Sequence, residues 1–251
     1  MPSQSDEALL TACVSGNVYG VRRALQSGAA LTAVNAEGFT AICIAAERGH
    51  AAVLDVLCDA GLDPGMQGGA GWTPLMRASR NGHLDCVHTL CRRASPTGAG
   101  GGGAVELNTV NDNGSTALMV AATCGHAPII TALAEAGADL YVATSHNGST
   151  ALHLASSCGN VAAAEQLVRL DGPKQLLTAT TAHGATPLHL AAHAASEPII
   201  RILLDADADV HSKDRHRCAR VCGVQHQASA QQPPPSLSHT HTKLTIFDSP
   251  L

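Results

Sequence analysis

GWTPLMRASRNGH, residues 71–83, holds a complete helix from its start to its stop. Thr73 stands where an N-cap hydroxyl is wanted, and Pro74 follows at the first helical position, where a missing N–H costs nothing. Leu75 and Ala78 repeat at i, i+3 and make one apolar stripe. Gly82 ends the helix about two turns later, because the left-handed conformation needed there is easiest for glycine. The phrase returns as GFTAICIAAERGH from Gly38, GSTALMVAATCGH from Gly114, GSTALHLASSCGN from Gly148 and GATPLHLAAHAAS from Gly184. Its leading glycines, at 38, 71, 114, 148 and 184, are 33, 43, 34 and 36 residues apart, a unit of about 33 residues carrying small insertions.

After each phrase comes a second apolar face: Val53, Val56 and Leu57; Val87 and Leu90; Ile129, Ile130 and Leu133; Ile199, Ile200, Leu203 and Leu204. Each unit is therefore a helical hairpin. A lone hairpin cannot bury both faces, so neighbours must stack into a solenoid with an extended concave surface. The phrase and its period resemble the ankyrin repeat family over roughly Asp6 to Ser212, and AGLDP, AGADLYVA and ADADVHS resemble that family's turns into projecting fingers. The resemblance implies an all-α solenoid of about six helix-turn-helix repeats with short β-hairpin fingers. It places an ankyrin repeat domain at 5–213, with repeats near 5–36, 38–67, 71–94, 114–143, 148–180 and 184–213.

The departures from the phrase are also informative. The first repeat lacks Thr-Pro but keeps two helical stretches with Gly16 and Gly28 at turn positions, and it reads as a cap. A Gly-rich insertion at 95–104 makes a flexible loop that projects from the array. RLDGPKQ adds three residues at a turn of the fifth repeat. In the sixth, Ala195 and Ser196 replace the Gly-His pair, so that turn is the least secure. The repeat phase is lost after Ser212, which is expected to leave the apolar side of the sixth repeat poorly covered. The tail at 214–251, rich in Gln, Ser, Pro and His, reads as disordered.

Composition limits the function classes. A 45% hydrophobic content with only five aromatics (Tyr19, Phe39, Trp72, Tyr141 and Phe247) suits thin, repeated layers and not one large core. The net charge of −5 is the wrong sign for phosphate neutralisation, so no nucleic-acid partner is expected. No stretch is long and apolar enough to span a bilayer, so no membrane insertion is expected. Nine scattered cysteines with no export signal read as reduced thiols in an intracellular, cytoplasmic monomer. Cys124 and Cys158 share a phase in adjacent repeats, but stacked helices lie too far apart for a bridge.

No sequence pattern for catalysis or for a cofactor stands out. GAGGGGA lacks the flanks of a phosphate loop, and neither G-x-S-x-G nor H-E-x-x-H occurs. His216, Cys218, Cys222 and His226 are too loosely spaced to be expected as a zinc site. His153 and His189, like the Gly-His histidines His50, His83 and His126, read as structural. The expected function is binding of an unidentified protein along the concave surface. The alternative is a substrate-recruiting or regulatory fragment of a larger enzyme such as a kinase, a ubiquitin ligase or an acyltransferase. The resemblance carries partner contacts to the finger tips and first helices. These positions hold Glu37 and Phe39 in the second repeat, Trp72 in the third, Asp112 and Asn113 in the fourth, and Glu47, Arg48, Arg80 and Asn81 at helix ends. Phe39 and Trp72 occupy one phase of neighbouring repeats, as an aromatic binding anchor or as a cover for the finger stalks. The remaining tips, His146, Asn147, Ala182 and His183, are small and polar and read as solvated.

Overall fold

Threonine starts and glycine stops punctuate the chain in a computed structural model that describes residues 3–94, 105–172 and 174–214. The helices run as six pairs: α1 (Gln4–Ser15) with α2 (Val18–Gln26), α3 (Ala41–Arg48) with α4 (Ala51–Asp59), α5 (Pro74–Asn81) with α6 (Leu84–Ala94), α7 (Ala117–Cys124) with α8 (Ala127–Glu135), α9 (Ala151–Ser157) with α10 (Val161–Leu170), and, after a short α11 (Gln175–Thr178), α12 (Pro187–His193) with α13 (Glu197–Asp205). The Thr73 hydroxyl accepts the Met76 N–H at 3.2 Å, and Thr116 accepts from Met119 in the same way. Gly49, Gly82 and Gly125 close their helices with φ near +80°. The first repeat does the same with Gly16, and its start is secured by a Ser3–Asp6 capping box.

First helices pack on first helices and second helices on second helices, giving two layers with a continuous core from Leu9 to Leu203. The facing residues of the first helices are small: Ala45, Ala46, Ala121 and Ala122 have no exposed surface, which lets the backbones approach. Leu57, Leu90, Ile130 and Leu167 fill the second layer and are fully buried as well. Each such side chain gains about 1.5–3 kcal/mol on leaving water.

A polar ladder joins the repeats. Nε2 of His50, His83 and His126 lies 3.1, 2.9 and 3.1 Å from the carbonyls of Val14, Glu47 and Arg80, each in the preceding repeat. The rings rest on the bare Cα of Gly16, Gly49 and Gly82, so each glycine serves both its own turn and its neighbour's histidine. Asn160 takes the same place in the fifth repeat, donating to the Ala122 and Thr123 carbonyls.

His153 makes a second kind of bridge. Its Nδ1 accepts the Thr150 N–H at 3.2 Å, which leaves the proton on Nε2 to bond the Ala185 carbonyl at 3.0 Å. Burial holds its pKa below the usual histidine value. A neutral buried histidine contributes stability that is complete above the unfolded-state pKa, about 6.5, and is lost as pH falls below it towards the depressed folded value. The urea midpoint is therefore expected to fall between pH 7 and pH 5, with a flatter fall in His153→Gln. Equal slopes in the two proteins would refute the assignment.

The fingers differ from β-hairpins in detail. Among the described residues there is no strand, only one isolated antiparallel bridge between Val34 and Thr40. Each finger is a tight turn: Asn35 Oδ1 accepts the Glu37 and Phe39 N–H groups, and Asn111 Oδ1 those of Asn113 and Ser115. Side-chain acceptors thus replace the rungs that a second ladder pair would supply. The RLDGPKQ insertion is likewise more than a turn. Asp171, buried, accepts from the Gln175 and Leu176 N–H groups and from the Tyr141 hydroxyl, and so seats α11 with Leu176 and Leu177 in the core.

The sixth repeat keeps the helical turn without its glycine, since Ala195 adopts φ +50° and Ser196 N–H bonds the Ala191 carbonyl. Leu190, Ala192 and Ala208 are half-buried, while their counterparts Val120, Ala122 and Ala138 are buried. Left-handed alanine costs roughly 1–2 kcal/mol. Ala195→Gly is accordingly expected to stabilise the array by about 1 kcal/mol. The gain should appear as slower amide exchange in α12 and α13, and unchanged exchange would show that the turn carries no strain. The insertion at 95–104, the tail from 215 onward, and the His216, Cys218, Cys222, His226 cluster lie outside the described residues.

Candidate functional site

The finger of the second repeat sets Phe39 by donating its N–H to Asn35 Oδ1 at 2.8 Å. The ring is half-buried: Gly69 of the next finger passes so close that a Cβ there would lie 3.4 Å from Phe39 Cε1. The glycines of QGGAGW let that finger lie over Phe39. Trp72, at the end of the same finger, has its carbonyl bonded by the Gly68 N–H at 2.8 Å. Its ring is half-buried too. Both rings are therefore partly covered, and an arginine stands between them.

That arginine is Arg77 of α5. Its guanidinium carbon lies 3.7 Å from the centre of the Phe39 ring and 5.7 Å from the Trp72 ring, and Arg80 lies 5.5 Å from Trp72 on a further contact. Arg77 Nη1 donates to Glu47 Oε2 at 2.7 Å, with the arginine side chain 9% exposed and the glutamate 37%. Arg77 Nε is buried and has no partner. Phe39, Arg77, Trp72 and Arg80 therefore alternate aromatic and cation, the two rings from the fingers that precede α3 and α5 and the two arginines from α5.

Beyond Trp72 opens a cleft of about 190 Å³ between the third and fourth repeats. Trp72 and Arg80 form one wall, and Val120, Thr123 and Cys124 of α7 the other. Asn111, Asn113 and Ser115 close the finger end. Burial raises the Cys124 thiol pKa, and the nearby Arg80 charge partly opposes the rise. Deeper thiols are quieter still, with Cys13 and Cys86 pushed up to about 12 by burial.

Of the residues expected from sequence, Phe39, Glu47 and Trp72 meet at Arg77, Arg80 lies over Trp72, and Asn113 faces the cleft. Asn81 folds back onto the Arg77 carbonyl, and Asp112 donates its N–H to Ala70, bracing one finger against the next. Glu37 and Arg48 are exposed at the periphery. Arg77 is not among these residues, although the sequence marks it: Ile44, Val120, Leu154 and Leu190 occupy its phase in the other repeats. A lone charge in an apolar column marks a place where the repeat does something different.

Family profiles described as ankyrin repeats match residues 9–58, 61–144, 98–176 and 141–214. Ankyrin repeat domain-containing protein 63 of Mus musculus is 34% identical over 113 residues, covering 45% of this chain and 27% of that protein. The inactive serine/threonine-protein kinase TEX14 of Mus musculus is 37% identical over 68 residues, 27% of this chain and 5% of that protein. The chain thus spans about a quarter or less of these relatives' length. Among solved structures, the ankyrin repeat domain of Bcl-3, a member of the IkappaB protein family, superposes with a TM-score of 0.73 at 25% identity, over 84% of this chain and 91% of that one.

Proposed function

Because the chain belongs to the ankyrin repeat family, whose repeats are protein-interaction modules, we propose that it holds a partner protein along its concave surface, around Phe39 and Trp72. The observation that carries this reading is the alternating stack of Phe39, Arg77, Trp72 and Arg80 beside an open cleft. Tryptophan and arginine are the side chains most enriched at binding hot spots, and a rigid stack lowers the entropy lost on binding. Glu37, Glu47, Arg48, Asn81, Asp112 and Asn113 form the polar rim in this reading, with Arg80 at the cleft mouth. The role is recruitment and not catalysis, by an intracellular, cytoplasmic monomer.

The test is affinity capture from the source cell with the wild-type chain and with Phe39→Ala/Trp72→Ala, both verified as folded by circular dichroism. A partner kept by wild type and lost by the double variant is the expected result. Equal capture would place the binding surface elsewhere. A second reading draws on the match to a much longer relative described as an inactive kinase, 5% of which this chain spans. There the array recruits substrates or regulators for a larger protein, and the same surface serves.

A further inference from the structure

The chain contains its own example of carboxylate recognition. Arg77 stacks a face of its guanidinium on Phe39 and uses an edge N–H to hold Glu47 at 2.7 Å. Stacking occupies the face of the planar cation and leaves the in-plane donors free for a bidentate anion. Arg80 repeats half of this arrangement. It lies over Trp72 at 5.5 Å, is exposed, and forms none of the ion pairs found among the described residues. Its cleft adds the amide of Asn113, the hydroxyl of Thr123 and the apolar side of Val120. Asp112, the acidic residue beside Asn113 in sequence, is turned towards Gly71, where its Oδ1 would meet an added Cβ at 2.8 Å.

Resting on the interaction reading above, we infer that Arg80 is the receptor for a glutamate or aspartate side chain in an extended acidic segment of the partner protein, with an adjoining apolar residue seated on Val120 and Trp72. The complementarity is local, since the chain as a whole carries −5. Arg80 therefore sets position as well as affinity.

Trp72 is the only tryptophan, so its fluorescence reports occupancy of this cleft directly. The probe is a labelled decapeptide with two glutamates flanking a leucine in a Gly-Ser background, titrated by fluorescence polarisation against the full chain. Two counterparts carry glutamine or phosphoserine in place of glutamate. The glutamate peptide is expected to bind and to change Trp72 emission along the same curve. Binding should weaken about tenfold or more with the glutamine peptide or with Arg80→Ala, and less with Arg80→Lys, which keeps the charge but loses the fork. Absent binding of the glutamate peptide, equal binding of the glutamine peptide, or indifference to Arg80→Ala would overturn the inference. A tenfold preference for phosphoserine would overturn it in favour of a phosphate site. Should the peptides fail while Phe39→Ala/Trp72→Ala still loses the captured partner, the acidic class falls and the interaction reading stands. Peptide binding through Arg80 with capture indifferent to the double variant gives the reverse.

Discussion

Gly49→Ala should lower the stability of the array by about 3 kcal/mol, and Gly28→Ala by only about 1. Both glycines are left-handed, at φ +81° and +84°, so both substitutions incur the conformational cost of alanine there. Around Gly28 nothing lies within 4 Å of an added Cβ, whereas at Gly49 it would sit 2.7 Å from His83 Nδ1. His83 must then move, and its bond to the Glu47 carbonyl at 2.9 Å goes with it. That bond joins the second repeat to the third, and a stacked array depends on nearest-neighbour terms, so the damage should spread beyond one turn. Urea unfolding of the two variants measures the difference. Equal destabilisation would mean that the histidine ladder contributes nothing beyond the turns themselves.

The same distinction between local and assembled chemistry explains what could be read from residues alone. A Thr-Pro start and a glycine stop act within a few positions, so the six helix pairs are legible, whereas the turn at Ala195, which lacks the glycine, is the least secure in the sequence and its left-handed backbone is not legible there. The α11 helix was hidden because its start depends on Asp171 reaching forward to Gln175 and Leu176 while Tyr141 arrives from the preceding repeat. The family resemblance implies short β-hairpin fingers, yet Asn35 and Asn111 take up the bonds that strands would use. The site was legible by halves. Phase alone puts Phe39 and Trp72 on neighbouring repeats, but only the packed array shows Gly69 closing over one ring and Arg77 dividing the pair.

Arg77 and Glu47 make the second large prediction. Glu47→Ala is expected to cost about 2 kcal/mol, because it strands a guanidinium that is 9% exposed. The loss of 3–5 kcal/mol typical of a fully buried pair is too high here, since Glu47 is 37% exposed and water already screens it. Arg77→Leu should be close to neutral, within about 1 kcal/mol, because it removes a costly buried charge and restores the aliphatic column of Ile44, Val120 and Leu154. With leucine at 77, Glu47→Ala should then cost little more than an exposed substitution, so a double-mutant cycle should return a coupling of about 1.5–2 kcal/mol. If Arg77→Leu proves as damaging as Glu47→Ala, the pair stabilises the fold in its own right. If it is neutral to stability but weakens partner capture, the arginine is there for recognition: the array tolerates a buried charge in its stripe because Phe39 and Glu47 hold it, and the stack it completes carries Trp72 to the edge of the cleft.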